Sequence, residues 1–353
     1  MYAPYIGLEV LMMKKIFYAP GPLVLLGLLG ACIVLSSCST GETASTAISQ
    51  MFGGSSQALL FLNCRAVAED EVEFEFSQPV TVKSLNFEPA LVVASVENDS
   101  TVRVKLDGDT APGMLFTADL LAEDANRNTI NVLVPFRSRN NRMPSLVINE
   151  LRTEYSKPRG EFIELKMKSA GNLGAIRLFI VGNYKQPLVY EFLPVEVKDG
   201  EYVVLHLRTL EEGCKDEYGE SLDESGGADS SDKARDLWIP DSTKLLHKTD
   251  AIYLLDQDDR VLDAVMMSET PDSLWNKDYF AEAADFLFQQ GAWKSTDGSI
   301  CRPAEAVISN GTTATRTICR DETEDANTAA NWYITANSSA TPGGKNNEKR
   351  YSN

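Results

Sequence analysis

Strict alternation of apolar and polar residues is the feature that most constrains the fold of this sequence. In residues 71–76 (EVEFEF) and again in residues 101–106 (TVRVKL), every second side chain is apolar and its neighbours are charged or polar. A period of two predicts β-strands with one buried face. Turn-forming residues such as Pro112 and Gly113 separate these segments. The pattern therefore predicts an all-β fold of short antiparallel strands, of the sandwich type.

Residues 58–140 carry three motifs in order, FEFSQPV, APGMLFTADLLAEDANRN and NVLVPF. Together they resemble the bacterial Ig-like domains of cell-surface proteins, which have a strand ending in F-S-x-P-V and a D-x-x-G-N turn. The resemblance implies a first antiparallel β-sandwich that serves as a spacer or adhesive module and has no active site. Arg127 stands where that turn usually has glycine, so we expect the turn to differ in shape.

Residues 145–346 contain a second series of alternating segments, and the order of their motifs resembles the lamin-tail domain, an Ig-like β-sandwich common in bacterial exported proteins. The matching motifs are INE at 148–150, EFIEL at 161–165, DGEYVVL at 199–205, VLDAV at 261–265, SICR at 299–302, WY at 332–333 and TPGGKN at 341–346. The resemblance implies a second tandem Ig-like sandwich, with a short tail at 347–353. Two departures are the missing glycine after Asp258 and a long insertion at 209–248.

The insertion is strongly acidic. Residues 211–236 contain ten acidic and three basic residues, a composition that predicts a mobile, solvated loop. The alternative is a calcium site, because carboxylates at alternating positions suit hard cations. The carboxylates concerned, Asp229, Asp232 and Asp236, do not follow the EF-hand spacing. We therefore expect no metal site.

One segment of the second sandwich has a helical period instead. Its apolar side chains lie at i, i+3, i+4, i+7 and i+8: Phe280, Ala283, Ala284, Leu287 and Phe288. This spacing predicts an amphipathic α-helix, and Gly291 stands where the helix would end. We expect it to be the one substantial helix of the mature protein.

The N-terminal residues predict targeting. Lys14 and Lys15 precede an apolar stretch too short and too rich in glycine for a membrane span, so residues 1–37 are expected to be a signal peptide, with translation starting at Met13. The stretch ends in LSSC, which resembles the lipobox of bacterial lipoproteins. That resemblance implies cleavage before Cys38 and acylation of both its thiol and its new amino group.

A doubly acylated residue holds a protein stably on a membrane. Residues 38–57, which follow the anchor, are small and polar and predict a flexible tether. We therefore expect a lipid-anchored protein of the bacterial cell envelope, in the outer membrane. The sequence leaves open whether it faces the periplasm or the outside. An ordinary signal peptide with a chance cysteine is the alternative.

Candidate catalytic residues have structural explanations. The sequence contains no G-x-S-x-G, P-loop, H-E-x-x-H or G-x-G-x-x-G pattern. His206 and His247 have no neighbouring motif that supplies a nucleophile or a metal partner. Glu150, Glu161 and Glu164 resemble paired catalytic carboxylates, but they belong to the lamin-tail strand pattern and we expect them in structural or rim positions. We therefore expect a protein without catalytic residues or cofactor.

The four tryptophans admit two interpretations. Trp238, Trp275, Trp293 and Trp332 would form a carbohydrate-stacking platform if all were exposed on one side. Trp332 belongs to the closing lamin-tail motif, however, and is expected in the core. Trp275 and Trp293 flank the predicted helix, whose apolar face they would cover.

Export makes disulfide bonds possible. Besides Cys38, the mature chain would contain Cys64, Cys214, Cys301 and Cys319, and four cysteines allow three full pairings. Cys301 and Cys319 flank a turn rich in glycine and threonine, and they are the pair we expect.

Charge limits the range of partners. The chain has 33 basic and 51 acidic residues and a net charge of −18, so unaided nucleic-acid binding, which needs clustered lysine and arginine, is not expected. We expect a non-catalytic interaction or adhesion module whose protein or polysaccharide ligand the sequence does not identify. The alternatives are an accessory subunit of an exported hydrolase, an enzyme with a site in the second-sandwich insertions, and a structural spacer.

The lipid anchor is directly testable. In bacteria grown with labelled palmitate, the wild-type chain should incorporate label and the Cys38→Ala variant should not, because the acylated thiol is gone. Cys32→Ala, which removes a cysteine from the predicted signal peptide, is the matched control and should keep the label. Label retained by Cys38→Ala would contradict the lipobox assignment. Protease treatment of intact cells would then distinguish a surface position from a periplasmic one.

Overall fold

Residues 58–182, 186–241, 243–321 and 326–352 are described by a computed structural model. Within them the chain is all-β, with two tandem β-sandwiches and one α-helix, as the alternating pattern predicted. The signal peptide, Cys38 and the tether at 38–57 lie outside the described residues. In the part of the chain described, no helix is both long and apolar enough to cross a bilayer.

The first sandwich consists of seven strands. They are β1 Phe61–Ala68, β2 Glu71–Phe76, β3 Val80–Glu88, β4 Val93–Glu97, β5 Thr101–Leu106, β6 Leu115–Asp124 and β7 Thr129–Arg137. One sheet has the order β1-β2-β5-β4 and the other β3-β6-β7, and every pair is antiparallel. The apolar side chains of the alternating segments, such as Phe74, Val102 and Leu120, are fully buried between the two sheets.

The turn between β6 and β7 keeps a left-handed residue although it lacks the expected glycine. Arg127 has a φ of 66°. The Asp124 carboxylate accepts hydrogen bonds from the backbone N–H groups of Asn126 and Asn128, both at 2.8 Å. These bonds hold the turn and offset the cost of a positive φ in a residue with a side chain.

The second sandwich contains the remaining elements. They are β8 Leu146–Arg152, β9 Phe162–Met167, β10 Gly171–Asn172, β11 Arg177–Ile180, β12 Leu188–Glu191, β13 Glu196–Val197, β14 Tyr202–His206, β15 Ala234–Trp238, β16 Asp250–Leu255, β17 Val261–Ser268, α1 Asp278–Gln289, β18 Val307–Ile308, β19 Ile318–Arg320 and β20 Trp332–Ile334. Short 3₁₀-helices lie at Pro303–Glu305 and Ala329–Asn331.

Two large sheets face each other in this sandwich. The six-stranded sheet has the order β15-β14-β9-β8-β19-β20, and the five-stranded sheet has the order β12-β11-β16-β17-β18, with β10 and β13 forming a small third sheet. The strands of the two large sheets pair antiparallel, as expected, except at two places: β14 pairs with β15, and β17 with β18, in parallel. A long connection separates the strands of each parallel pair, as parallel pairing requires.

The helix forms where its period predicted it. Phe280, Ala284 and Leu287 are buried in the same apolar core as the facing sides of the two large sheets. Helix α1 ends at Gln289, and Gly291 follows in a left-handed conformation with a φ of 69°. Glycine adopts this conformation without steric cost, so it terminates the helix as expected.

The predicted tail is partly bound to the sandwich. Tyr351 donates its backbone N–H to the carbonyl of Ile334 at 2.8 Å, and Ala336 donates to the carbonyl of Lys349 at 2.8 Å. These bonds cover the outer edge of β20, which would otherwise expose unpaired backbone groups.

A hydrogen-bonded linker, residues 138–145, joins the two sandwiches. Asn140 is buried, and its side-chain amide donates to the carbonyls of Asn172 and Gly174, at 2.8 and 2.9 Å. Arg139 forms a two-pronged ion pair with Asp258, with both N–O distances at 2.7 Å. The side-chain oxygen of Gln257 accepts from the backbone N–H of Asn140, and its amide nitrogen donates to the carbonyl of Ser138, both at 2.8 Å. The linker is therefore a fixed element and not a flexible hinge.

Loss of the Asn140 amide should weaken the second sandwich. Asn140→Ala leaves two buried carbonyls without donors, so we expect the free energy of unfolding to fall by about 2–4 kcal/mol. Urea unfolding followed by tryptophan fluorescence measures it. Asn131→Ala, at an exposed position of β7, should change stability by less than ~0.5 kcal/mol. A similarly small change for Asn140→Ala would contradict the locked linker.

Candidate functional site

The six-stranded sheet has an unusual outer face. Strand register aligns one row of side chains across all six strands: Asp236, Val204, Glu164, Glu150, Cys319 and Tyr333. Five of these six carry titratable groups, and the five from Asp236 to Cys319 are buried. An outer sheet face usually meets water, so this row needs a cover and partners for its polar atoms.

Glu150 and Glu164 lie opposite each other on neighbouring strands and are fully buried. Their cover is the segment 339–346, here called the C-terminal strap. Thr341 donates its backbone N–H and its hydroxyl to Glu150, each at 3.0 Å to Oε2, and Gly343 donates its N–H to Glu164 at 2.6 Å. Of the two expected positions, structural or rim, these carboxylates occupy the structural one, because the strap closes them off from solvent.

Gly343 has to be glycine for this closure. Its φ is 77°, and a Cβ there would lie 2.5 Å from Oγ of Ser231 and 2.9 Å from Cβ of Ala234. Asn346 completes the strap by donating to the carbonyl of Arg320 at 2.9 Å. The TPGGKN motif therefore has a structural explanation: it supplies the donors and the small residue that let the strap lie on buried carboxylates.

The two carboxylates bind protons more readily than free glutamate does. Burial raises the pKa of Glu150, against hydrogen bonds from Thr317 and Thr341 that lower it. Burial also raises the pKa of Glu164 well above its ordinary value, and the adjacent charge of Glu150 raises it further. Ionising both of two facing, buried carboxylates costs free energy, because their charges repel each other and are removed from water. The pair therefore retains a proton at pH values above the ordinary pKa of glutamate.

Two buried ion pairs lie beside this row. Glu161 accepts two hydrogen bonds from Arg208, at 2.6 and 2.8 Å. Arg152, whose guanidinium lies over the ring of Phe162, pairs with Asp229 of the acidic insertion. In each pair, the attraction between the two charges offsets the cost of removing them from water. Removal of one member would leave the other buried and unpaired.

The histidines occupy structural positions. His206 is buried, contacts Asp236 at 2.6 Å, and stacks on Trp238 with ring centroids 3.7 Å apart. His247 is half-buried, and burial lowers its pKa. Because Asp229 and Asp236 already have partners in Arg152 and His206, the three aspartates considered for calcium do not form one site. The described residues contain no group of three or more possible metal ligands.

The acidic insertion is docked, which corrects the expectation of a mobile, solvated loop. The Glu217 carboxylate is buried and accepts from three backbone N–H groups, those of Glu224, Ser225 and Asp236. Arg235 is buried too, and it bonds to Glu201, to the carbonyls of residues 217 and 219, and to that of residue 196. The insertion therefore supplies strand β15 and also covers its outer edge.

A cleft of about 820 Å³ lies between the insertion and the segment 194–201, which contains the short strand β13 and is here called the turn at 194–201. Residues 194–201 line it from one segment and Tyr218, Gly219, Glu220 and Leu222 from the other, and Asn172, Lys233 and Arg235 complete the lining. Arg235 reaches both walls through Glu201 and the carbonyls of residues 217 and 219, so the two walls are held at a fixed separation.

The tryptophans do not form a shared platform. Trp293 and Trp332 are 1% and 7% exposed and belong to the core. Trp275 packs against Phe280 of helix α1, with ring centroids 5.7 Å apart, as expected. Trp238 has one face against His206. The aromatic side chain that does face the cleft is Tyr218, which the sequence did not single out.

The predicted Cys301–Cys319 disulfide is not formed, and the four described cysteines are free thiols. Alternation along β19 explains why. Ile318 points into the core between the sheets, so Cys319 points to the opposite, outer face beside Glu150. Cys301 is packed into the core with Trp293. The two thiols therefore lie on opposite sides of the sheet.

Sequence reasoning missed the residues that shape the cleft. Glu217, Tyr218 and Arg235 lie within the acidic run, whose composition obscured them. The one available signal was ARDLW at 234–238, a short apolar-ended segment inside a polar insertion. Its pairing with β14 joins residues 32 positions apart, which no local pattern reveals.

Comparison with known proteins adds a family. Residues 144–334, more than half of the chain, match the family model TP_1001_2nd, described as "protein second domain". An uncharacterised protein of Treponema pallidum (strain Nichols) is 29% identical over 183 residues, which cover 50% of this chain and 46% of that protein. The chain thus spans less than half the length of that relative.

Among solved structures, the N-terminal part of the bacterial S-layer protein SbsC has a TM-score of 0.23 at 14% identity, covering 65% of this chain and 47% of that one. L,D-transpeptidase 3 from Mycobacterium tuberculosis has a TM-score of 0.17 at 10% identity, covering 42% of this chain and 81% of that one. Scores this low carry no argument about fold or function.

The buried carboxylate pair should make stability depend on pH. Because the folded state raises the pKa of Glu164 above the ordinary value of 4.5, its contribution is fully present below pH 4.5 and is lost as pH rises through the raised value. Glu164→Gln cannot ionise, so its stability relative to wild type should improve as pH rises above about 4.5. Urea unfolding at several pH values measures this difference. Glu212→Gln, in an exposed part of the insertion, should stay within ~0.5 kcal/mol throughout. A wild-type-to-variant difference that is constant with pH would contradict the account.

Proposed function

The chain belongs to the TP_1001_2nd family, and we propose that this member is a non-catalytic interaction module held at the bacterial cell envelope or surface. The observation that carries the proposal is the cleft of about 820 Å³ between the insertion and the turn at 194–201. Ligand pockets of about 300–1,000 Å³ are typical of proteins that bind small molecules or short chain segments.

The scaffold suits a binding role. The insertion is fixed by the buried side chains of Glu217 and Arg235, so the cleft exists before any ligand arrives. Preformed walls reduce the entropy lost on binding. Loops held by a rigid β-sandwich are a common site of recognition. The locked linker at Asn140 extends this rigidity to the first sandwich, which would then act as a spacer.

The membrane attachment in this proposal comes from the N-terminal residues. Acylated Cys38 would anchor the chain to the outer membrane, and residues 38–57 would tether the sandwiches to that membrane. We infer in the same way that the two sandwiches are a bacterial Ig-like domain and a lamin-tail-like domain. Anchor, tether, spacer and cleft then lie in one linear order along the chain.

The buried carboxylates favour binding over catalysis. Glu150 and Glu164 are closed off by the C-terminal strap and already accept hydrogen bonds from protein donors. In the cleft, Glu196 is paired with Arg142 and Glu201 with Arg235. A general acid or base must reach a substrate within hydrogen-bond distance, and the buried side chains of Glu150, Glu164 and Glu201 are already bonded to protein groups.

Co-sedimentation with envelopes tests the role of the cleft. The purified full chain would be mixed with cell envelopes of the producing bacterium after extraction of their lipids by detergent, so that the acyl anchor cannot contribute. We expect wild type to sediment with the envelopes. The double variant Lys198→Glu/Lys233→Glu reverses the charge of two side chains that line the cleft. It should bind to the envelopes roughly tenfold more weakly, because polar contacts with the ligand are lost.

The matched control is Lys277→Glu/Lys349→Glu, which makes the same charge change at exposed lysines that do not line the cleft. It should sediment like wild type. Equal loss in both double variants would indicate a general charge effect, and no loss in either would exclude the cleft as the binding element.

A further inference from the structure

The charges in the cleft divide into a committed set and a free set. Glu196 and Glu201 are neutralised by Arg142 and Arg235. Four other charged side chains line the same cleft: Lys198, Asp199, Glu220 and Lys233. Within the described ranges, none of these four has a side-chain hydrogen bond or ion pair. The free set is two cations and two anions, so its net charge is zero.

Free donors and free acceptors therefore line one cavity. Each lysine ammonium offers three donors and no acceptor, and each carboxylate offers acceptors only. A hydroxyl group is both a donor and an acceptor. A ligand with many hydroxyl groups can satisfy all four side chains at once, whereas an anion would satisfy the lysines and be repelled by Asp199 and Glu220.

An aromatic ring completes the arrangement. Tyr218 is 39% exposed and lines the cleft beside Leu222. Burial, with the nearby charge of Asp216, raises the pKa of Tyr218 to about 12, so its phenol stays protonated and neutral at physiological pH. An exposed tyrosine offers a flat apolar face to a ligand, and the Tyr218 hydroxyl already donates to Asp216 at 3.3 Å. Sugar rings present the matching combination of an apolar C–H face and an edge of hydroxyl groups.

We propose that the cleft binds a neutral polyhydroxylated ligand, a short oligosaccharide segment stacked on Tyr218 and hydrogen-bonded to Lys198, Asp199, Glu220 and Lys233. The inference rests on the proposed function, whose ligand class it names. A volume of about 820 Å³ admits a few sugar units and excludes a folded partner domain. The neutral charge balance sets the preference against acidic and basic glycans.

Isothermal titration of the full chain tests this, in a detergent without a sugar headgroup. The neutral probes are the tetramers of N-acetylglucosamine, glucose (β-1,4-linked and α-1,4-linked) and mannose. The charged probes are the deacetylated glucosamine tetramer, which keeps the same backbone but is cationic, and tetragalacturonic acid, which is anionic. We expect at least one neutral tetramer to bind and its charged counterparts to bind at least about fivefold more weakly, with little change in neutral binding between about 50 and 500 mM salt.

Two variants locate the site. Tyr218→Ala should weaken binding of the neutral tetramer by about tenfold, since stacking on the ring is lost. Tyr279→Ala removes a tyrosine of nearly equal exposure, 37%, on helix α1 away from the cleft, and should leave binding unchanged. Lys233→Gln keeps donors and removes a charge at an exposed position, so it should weaken neutral binding by less than Tyr218→Ala does. Melting temperatures confirm that each variant is folded.

The outcomes separate this inference from the proposed function. Neutral binding that Tyr218→Ala weakens and Tyr279→Ala does not would support it. Neutral binding insensitive to Tyr218→Ala, preferential binding of a charged tetramer, or no binding by any tetramer would overturn it. In each of those cases, envelope sedimentation that depends on Lys198 and Lys233 would still support the proposed function, with a ligand of a different class. Sedimentation that does not depend on these lysines would contradict both the inference and the proposed function.

Discussion

The second sandwich depends on one constraint: its six-stranded sheet is buried on both faces, and the outer face is polar. The inner face packs on the five-stranded sheet through aliphatic side chains such as Ile163 and Leu165. The outer face carries carboxylates, which cost several kcal/mol each when removed from water without partners. Every element that covers this face must therefore bring donors or cations to defined positions.

This requirement explains the C-terminal strap and the acidic insertion together. The strap brings backbone N–H groups to Glu150 and Glu164, and the insertion brings Asp229 to Arg152. An insertion rich in carboxylates would repel itself if unpaired, but several of its acidic groups accept hydrogen bonds from the sheet or from its own backbone. The cleft is a consequence of this docking, since Arg235 of the insertion bonds to Glu201 on one wall and to the carbonyls of residues 217 and 219 on the other.

Local periodicity predicted local structure well. The strands around Phe74 and Val102, the helix at Asp278–Gln289 and its end at Gly291 follow from side-chain spacing, which depends on neighbours in the chain. Local periodicity could not predict which residues far apart in the chain pair with each other. The expected disulfide failed because alternation places Cys319 on the outer face while Cys301 enters the core, and composition hid the buried roles of Glu217 and Arg235.

The sequence by itself determined the all-β class and the position of the helix, because each is encoded by the period of apolar residues in a short window. The two successive sandwiches were expected from the order of its motifs, through their resemblance to known domains. Only the tertiary structure decided which charged residues are buried, since burial depends on what another part of the chain places over them. Glu164 and Glu212 are both glutamates, and one is sealed beneath the strap while the other meets solvent. The cleft, Tyr218 within it and the balance of its free charges exist only because the insertion folds back onto the sheet edge.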